Sequence, residues 1–276
     1  MSYTMIDLYC ASYARPPREV TLDIDDTVDV VHGAQQLSLF NTHDGERCFL
    51  PMHVYETATA RPVAVLLRSG KTPSGREVCG QIRRLVRRIR MHWPTTKITL
   101  RGDSHYGRHE AMTWCEANAV NYIFGLAGND VLDRKVEAAA DDVRVRWAEG
   151  EAPVVRRYAE TRYGAGSWKC ERRAAARIEA SSNGLDIRYV ATNIPRGSAE
   201  WLYDTLYCER GVSAVSTPRA GAVSAQFEHS FTRCGIQYSR MAGTSGISCS
   251  LARRMQSINR ASTSRTFDLS SSICRP

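Results

Sequence analysis

The chain has no apolar run approaching the length of a bilayer span, and no basic segment followed by an apolar stretch near its beginning. Both absences set aside membrane insertion and secretion, so no membrane partner and a cytoplasmic location are expected. None of the nine cysteines forms a C-x-x-C pair, which argues against a structural zinc site and against a disulfide framework. They read as buried or incidental thiols. Lysine is scarce, at 4 against 33 arginines. The formal charge is +8, but residues 211–276 carry eight Arg and two acids, a net +6, which leaves only +2 for the first 210 residues. Overall basicity is therefore a weak argument for nucleic-acid binding, and local arrangement has to decide. A length of 276 residues allows one large domain or two small ones with a proper core.

What is present reads as alternating strands and helices. Met5–Ala14 suggests a short helix ended by Pro16 and Pro17. In residues 19–24, Val20, Leu22 and Ile24 alternate with polar positions at a period of two, which predicts a strand. His43-Asp44-Gly45 marks a turn between two β-like runs, 36–40 and 47–55, and Val63–Arg68 is a further apolar strand. Counting 36–40 as a lead-in, these make a three-stranded antiparallel meander opened by the acidic strand. Ser74 is a candidate cap for a helix to about Trp93, with Ile82, Leu85, Val86, Ile89 and Trp93 on one face and Arg83, Arg84, Arg87, Arg88 and Arg90 largely on the other. Then come a strand at 97–100, a helix at 109–117, a strand at 122–126 and a helix at 131–140. The order implies an α/β layer arrangement. Three more strands, 154–162, 170–180 and 185–193, read as a β-rich insertion, and 198–208 returns to helix. Residues 212–276 are Ser- and Arg-rich and poor in large apolar residues, a composition that favours disorder.

Chemistry concentrates at two strand ends. Asp23 and Asp25 project to one face of the first strand and Asp26 to the other, while Asp103 stands at the carboxyl end of the 97–100 strand. If those strands are neighbours, Asp25 and Asp103 can share a hard, oxygen-loving ion such as Mg²⁺, with Asp23 as a further ligand. Two such ions would activate a water or a 3′-hydroxyl and stabilise the leaving oxygen of a phosphodiester. Acids at strand ends are also commonly turn residues, and the arginine face of the 74–93 helix is often merely solvated. His105 and His109 flank Asp103 without a metal-motif partner and read as hydrogen-bonding or surface residues, and Gly70–Gly75 has the wrong spacing for a P-loop.

Three motifs in order carry a resemblance: Asp25-Asp26-Thr27 followed by His32-Gly33 and Gln35, then Arg101-Gly102-Asp103, then Tyr207-x-x-Arg210-Gly211. Over roughly residues 5–211 the chain resembles bacterial insertion-sequence transposases of the DDE superfamily. The resemblance implies a ribonuclease-H-like mixed sheet flanked by helices, with the β-rich insertion before the last core helix. It divides the chain into a remnant N-terminal region (1–18), a core (19–149), the insertion (150–197), the start of the final helix (198–211) and an atypical tail (212–276). It further implies that Asp25 and Asp103 are catalytic and metal-binding, with Mg²⁺ or Mn²⁺ as cofactor. Tyr207 and Arg210 would contact DNA near the cut, and Arg83, Arg87 and Arg90 are candidates for further DNA contact. The implied partners are double-stranded DNA, both terminal repeats and target, and a second copy in a homodimer, with the protein at the nucleoid.

The family pattern calls for Glu at position 214 and Lys seven residues on, where this chain has Ala214 and Gly221. Glu209 stands five residues from 214, about 140° away around a helix. Only 24 residues precede Asp25, where the family generally carries a DNA-binding region. The expectation is thus a transposase fragment, shortened at the front and shifted in reading frame after Gly211. Two other readings stand beside it: a metal-dependent nuclease using Asp23, Asp25, Asp103 and another acid such as Glu228, and a non-catalytic DNA-binding or dimerising remnant.

Overall fold

The computed structural model describes residues 3–33, 35–42, 45–150 and 152–208. The expected tail, together with Glu209, Arg210, Ala214 and Glu228, lies outside them.

One eight-stranded mixed sheet organises the described residues. Its strands are β1 (Glu19–Asp26), β5 (Met52–Glu56), β6 (Pro62–Leu66), β7 (Lys97–Gly102), β8 (Asn121–Leu126), β9 (Val155–Tyr163), β10 (Arg172–Ser181) and β11 (Gly184–Thr192), in the order β6-β5-β1-β7-β8-β11-β10-β9. β1, β5 and β6 are antiparallel, and β7 and β8 run parallel to β1. Three antiparallel strands followed by two parallel ones is the ribonuclease-H-like arrangement. The three strands read as an insertion continue this sheet, because β11 pairs with β8 antiparallel through Tyr189↔Leu126 to Thr192↔Ile123.

A second, three-stranded sheet, β2 (Asp29–Val30), β4 (Glu46–Phe49) and β3 (Leu39–Asn41), lies between β1 and β5 in the chain. The single run expected over 47–55 is thus two strands in two sheets. It divides at Leu50-Pro51, where proline has no N–H to give to a ladder.

The helices are α1 (Tyr3–Ala11), α2 (Gly75–His92), α3 (His109–Ala117) and α4 (Asp130–Ala148). Ser74 caps α2 by accepting from the Glu77 amide, and Asn129 caps α4 by accepting from the Val131 and Leu132 amides. α2 buries Val78, Ile82, Leu85, Val86 and Ile89 in one cluster with Ile6 of α1 and with Val20, Leu22 and Ile24 of β1. α4 runs well beyond residue 140, since Val143 is buried with Leu132, Val136 and Ala140 against Ala174, Ala176 and Ile178 of β10.

The segment expected as a helix over 198–208 contains a π-helical turn, Trp201–Tyr207. Its Leu202 and Tyr203 are buried with Ile123 of β8, Ala175 of β10 and Val190 of β11. Tyr122 and Phe124, the neighbours of Ile123, belong to the α1–α2 cluster, so this turn covers the sheet face opposite to α2. No helix of the described residues is long and apolar enough to cross a membrane.

Candidate metal and nucleic-acid site at the carboxyl end of the sheet

β1 and β7 pair in parallel up to Ile24↔Gly102. Asp25 and Asp103 each follow that last matched position, so the topology brings them to the same end of two neighbouring strands. Leu22 and Ile24 enter the α2-side cluster, so Asp23 and Asp25 project to the face covered by the π-helical turn. Asp103 is held by its own loop: its Oδ1 accepts from the His105 amide at 2.9 Å. Asp25 Oδ1 accepts from the Asp26 amide, also at 2.9 Å.

Asp23 lies on the same face with both oxygens engaged. Arg101, only 2% exposed, donates Nε and Nη2 to it at 2.5 and 2.8 Å, and Thr57 Oγ1 donates at 3.1 Å. Arg101 Nη1 also donates to the Leu206 carbonyl at 2.7 Å. The R-x-D strand end therefore fastens the π-helical turn to the sheet two residue pairs below the Asp25–Asp103 level. Tyr207 follows directly. A Cβ added to Gly125 would lie 2.8 Å from the Tyr207 hydroxyl, 2.8 Å from the Ser104 nitrogen and 3.0 Å from the Asp103 carbonyl carbon. Glycine at 125 is thus what lets Tyr207 reach the peptide that follows Asp103.

Asp26 turns to the other face and is buried, at 6% side-chain exposure. Its carboxylate accepts from Arg68 Nη1 at 3.0 Å, from the Tyr106 hydroxyl at 2.6 Å and from His105 Nδ1 at 3.2 Å. Burial pushes its pKa up, but the bonds from His105 and Tyr106 and the charge of Arg68 outweigh this, and the net shift is downward. The His105 pKa is raised, first by the bond to Asp26, against the opposing effect of burial and with help from the Asp103 charge. Nδ1 of His105 is 3.8 Å from Asp103 Oδ2, so the ring spans both carboxylates. Arg68, 4% exposed, is shared with Glu77 of α2 at 3.0 Å.

Arg68, Tyr106 and the inward role of Asp26 were not read from the sequence. The available signal was a carboxylate at a core-facing strand position, which requires buried donors. The arginines of α2 divide. Arg88 forms a two-point pair with Asp7 of α1, both bonds 2.6 Å, and Arg90 donates to the Ala119 carbonyl. Arg83 and Arg87 are exposed.

Among the described residues no three His, Cys, Asp or Glu side chains form a metal-binding group. The donor set that remains, the carboxylates of Asp25 and Asp103, suits an ion that keeps several waters and takes its other ligands from phosphate, as Mg²⁺ does.

No curated protein sequence matches the chain. Among solved structures, a piggyBac transposase synaptic complex with hairpin DNA aligns with a TM-score of 0.42 and 9% identity, over 66% of this chain and 34% of that one. The chain thus spans about a third of that protein's length. A family profile described as Transposase DDE domain group 1 matches residues 1–214, and the chain belongs to that family.

Proposed function

We propose that this chain is the catalytic domain of an insertion-sequence DNA transposase in which Asp25 and Asp103 hold Mg²⁺ or Mn²⁺ and double-stranded DNA is the substrate. The supporting observation is the placement of these two carboxylates after adjacent positions of neighbouring parallel strands, with Tyr207 brought beside Asp103. When bound, the ion supplies Lewis-acid stabilisation of the scissile phosphate and a more acidic attacking hydroxyl. The chain's own part is to hold the carboxylates aligned. Arg101 ties down Asp23 and the turn carrying Tyr207, while Asp26, Tyr106 and His105 fix the loop after Asp103. Tyr207, with Arg210, supplies contacts to DNA next to the cut.

With Ala214 at the position of the family's third acid, the chain as it stands binds metal and DNA but does not complete end cleavage and strand transfer. Its transposase character is one of descent, with the reading frame shifted after Gly211. Mn²⁺ binding followed by electron paramagnetic resonance, in parallel with nicking of supercoiled plasmid, tests this. Expected are Mn²⁺ binding that weakens at least tenfold in Asp25→Asn and Asp103→Asn, and no nicking. Absence of Mn²⁺ binding would remove the metal site. Metal-dependent nicking abolished by Asp103→Ala would establish the nuclease reading instead.

A further inference from the structure

α2 carries six arginines and one acid, and that acid, Glu77, turns inward to Arg68. Arg88 and Arg90 are used within the fold, as described above. Arg76, Arg83, Arg84 and Arg87 are exposed and make no ion pair or hydrogen bond among the described residues. At 3.6 residues per turn they line one outer stripe together with Gly80, over about 17 Å from Arg76 to Arg87.

Three local choices along this stripe work against the helix. Arg83 and Arg87 are like charges at i,i+4, a pairing that costs roughly 0.2–0.5 kcal/mol. Arg76 puts a cation in the first turn, against the helix dipole. Gly80 sits in mid-helix, where alanine would be better by about 0.5–1 kcal/mol. Nor does packing require this glycine: a Cβ there would meet nothing within 4 Å. A merely solvated face would intersperse acids with its arginines and fill position 80. A surface that receives a polyanion at close range has reason to do neither.

We infer that the Arg76-Gly80-Arg83-Arg84-Arg87 stripe is a second nucleic-acid surface, a track for the phosphate backbone of double-stranded DNA. Its arginines neutralise phosphates, and the bare backbone at Gly80 lets the strand approach the helix. The partner's nature rests on the chain's place among transposase domains, but the surface does not depend on the metal pair. α2 covers the sheet face opposite to the one on which Asp25 projects, so DNA on this track is not the DNA at the carboxylates. At about 3.4 Å per nucleotide on each strand, 17 Å of helix faces roughly five base pairs.

Fluorescence anisotropy of a labelled random-sequence 30-base-pair duplex, titrated with the full chain in EDTA over a salt series, tests the inference. Each phosphate contact contributes about 0.9 to the slope of log K against log salt. Arg83→Gln with Arg87→Gln should lower the slope by about 1.8, a difference in which the contribution of the basic tail cancels. Gly80→Leu should weaken binding at least threefold while its melting temperature, followed by circular dichroism, stays level or rises. Asp25→Asn and Asp103→Asn should leave the slope unchanged, which separates this surface from the metal site. An unaltered slope in the double arginine variant, or no duplex binding by the wild-type chain, would overturn the inference. So would tighter, Arg83- and Arg87-dependent binding to phosphatidylserine vesicles, which would assign the stripe to membranes.

Discussion

Asp26→Asn is the substitution that most directly probes how the site is held. The wild-type carboxylate is 6% exposed, faces the equally buried Arg68 and takes two further hydrogen bonds, from Tyr106 and His105. Removing one member of a buried pair costs about 3–5 kcal/mol, because the remaining charge stays out of water without its partner. Asparagine keeps one acceptor oxygen but turns an amide donor toward the donors around it, while Arg68 retains Glu77 and the Leu50 and Lys71 carbonyls. A loss of about 3 kcal/mol is therefore expected. With urea slopes of about 1.5–3 kcal/mol/M, it lowers the midpoint of unfolding by about 1–2 M. Arg68→Met removes the cation and leaves Glu77, which at 35% exposure can rehydrate. In the double variant no buried charge is left unpaired, so its loss should fall short of the sum of the single losses by about 2 kcal/mol. A single-variant loss under about 1 kcal/mol, or additivity within about 0.5 kcal/mol, would refute the claim that this ion pair is buried and mutually dependent.

Gly125→Ala places a methyl against the Ser104 nitrogen and the Tyr207 hydroxyl. It should cost about 1–3 kcal/mol and weaken Mn²⁺ binding through displacement of Asp103, read by urea unfolding and paramagnetic resonance. Arg101→Lys cannot reproduce the two-point bond to Asp23 together with the donation to Leu206. Amide exchange over residues 201–207 should rise in it by at least tenfold while α2 amides stay protected. The Asp26–His105 contact gives stability a two-sided pH dependence. The raised His105 pKa makes its contribution fully present below the ordinary 6.5 and lost as pH rises through the folded value. The lowered Asp26 pKa makes its contribution present above the ordinary 3.8 and lost as pH falls through the folded value. Urea midpoints measured from pH 3 to 9 should show both limbs, and His105→Gln should flatten the upper one. Gly80→Ala should stabilise the chain by about 0.5–1 kcal/mol, because the added methyl meets open space on a helix; a loss of stability would contradict that geometry.

The parts of the fold legible in the sequence are those set by short-range periodicity. Alternation in β1 assigned Asp23 and Asp25 to one face and Asp26 to the other, and the structure places Leu22 and Ile24 in the α2-side cluster as that pattern requires. The apolar stripe of α2 and its Ser74 cap were equally readable, because each is local to one element. Pairing over long separations was not. Nothing near β8 in the chain says that β11, some sixty residues on, completes its hydrogen bonds, so strands that read as an insertion prove to extend the same sheet. Nor does composition separate the arginines: Arg88 and Arg90 find Asp7 and the Ala119 carbonyl only once α1 and the turn before β8 have docked. The site shows the same division. Asp25 and Asp103 were visible because each stands at a strand end, yet the groups that brace their surroundings come from several elements: Arg68 and Tyr106 meet on Asp26, and Arg101 ties Asp23 to the Leu206 carbonyl. Burial also supplies a rule that sequence reading can use. A carboxylate on the core-facing side of a strand needs a cation or several donors from elsewhere in the fold, and an arginine just past an apolar strand, as Arg68 is past β6, is a natural candidate. Applied to Asp26, that rule would have separated the carboxylate that braces the site from the two proposed to do its chemistry.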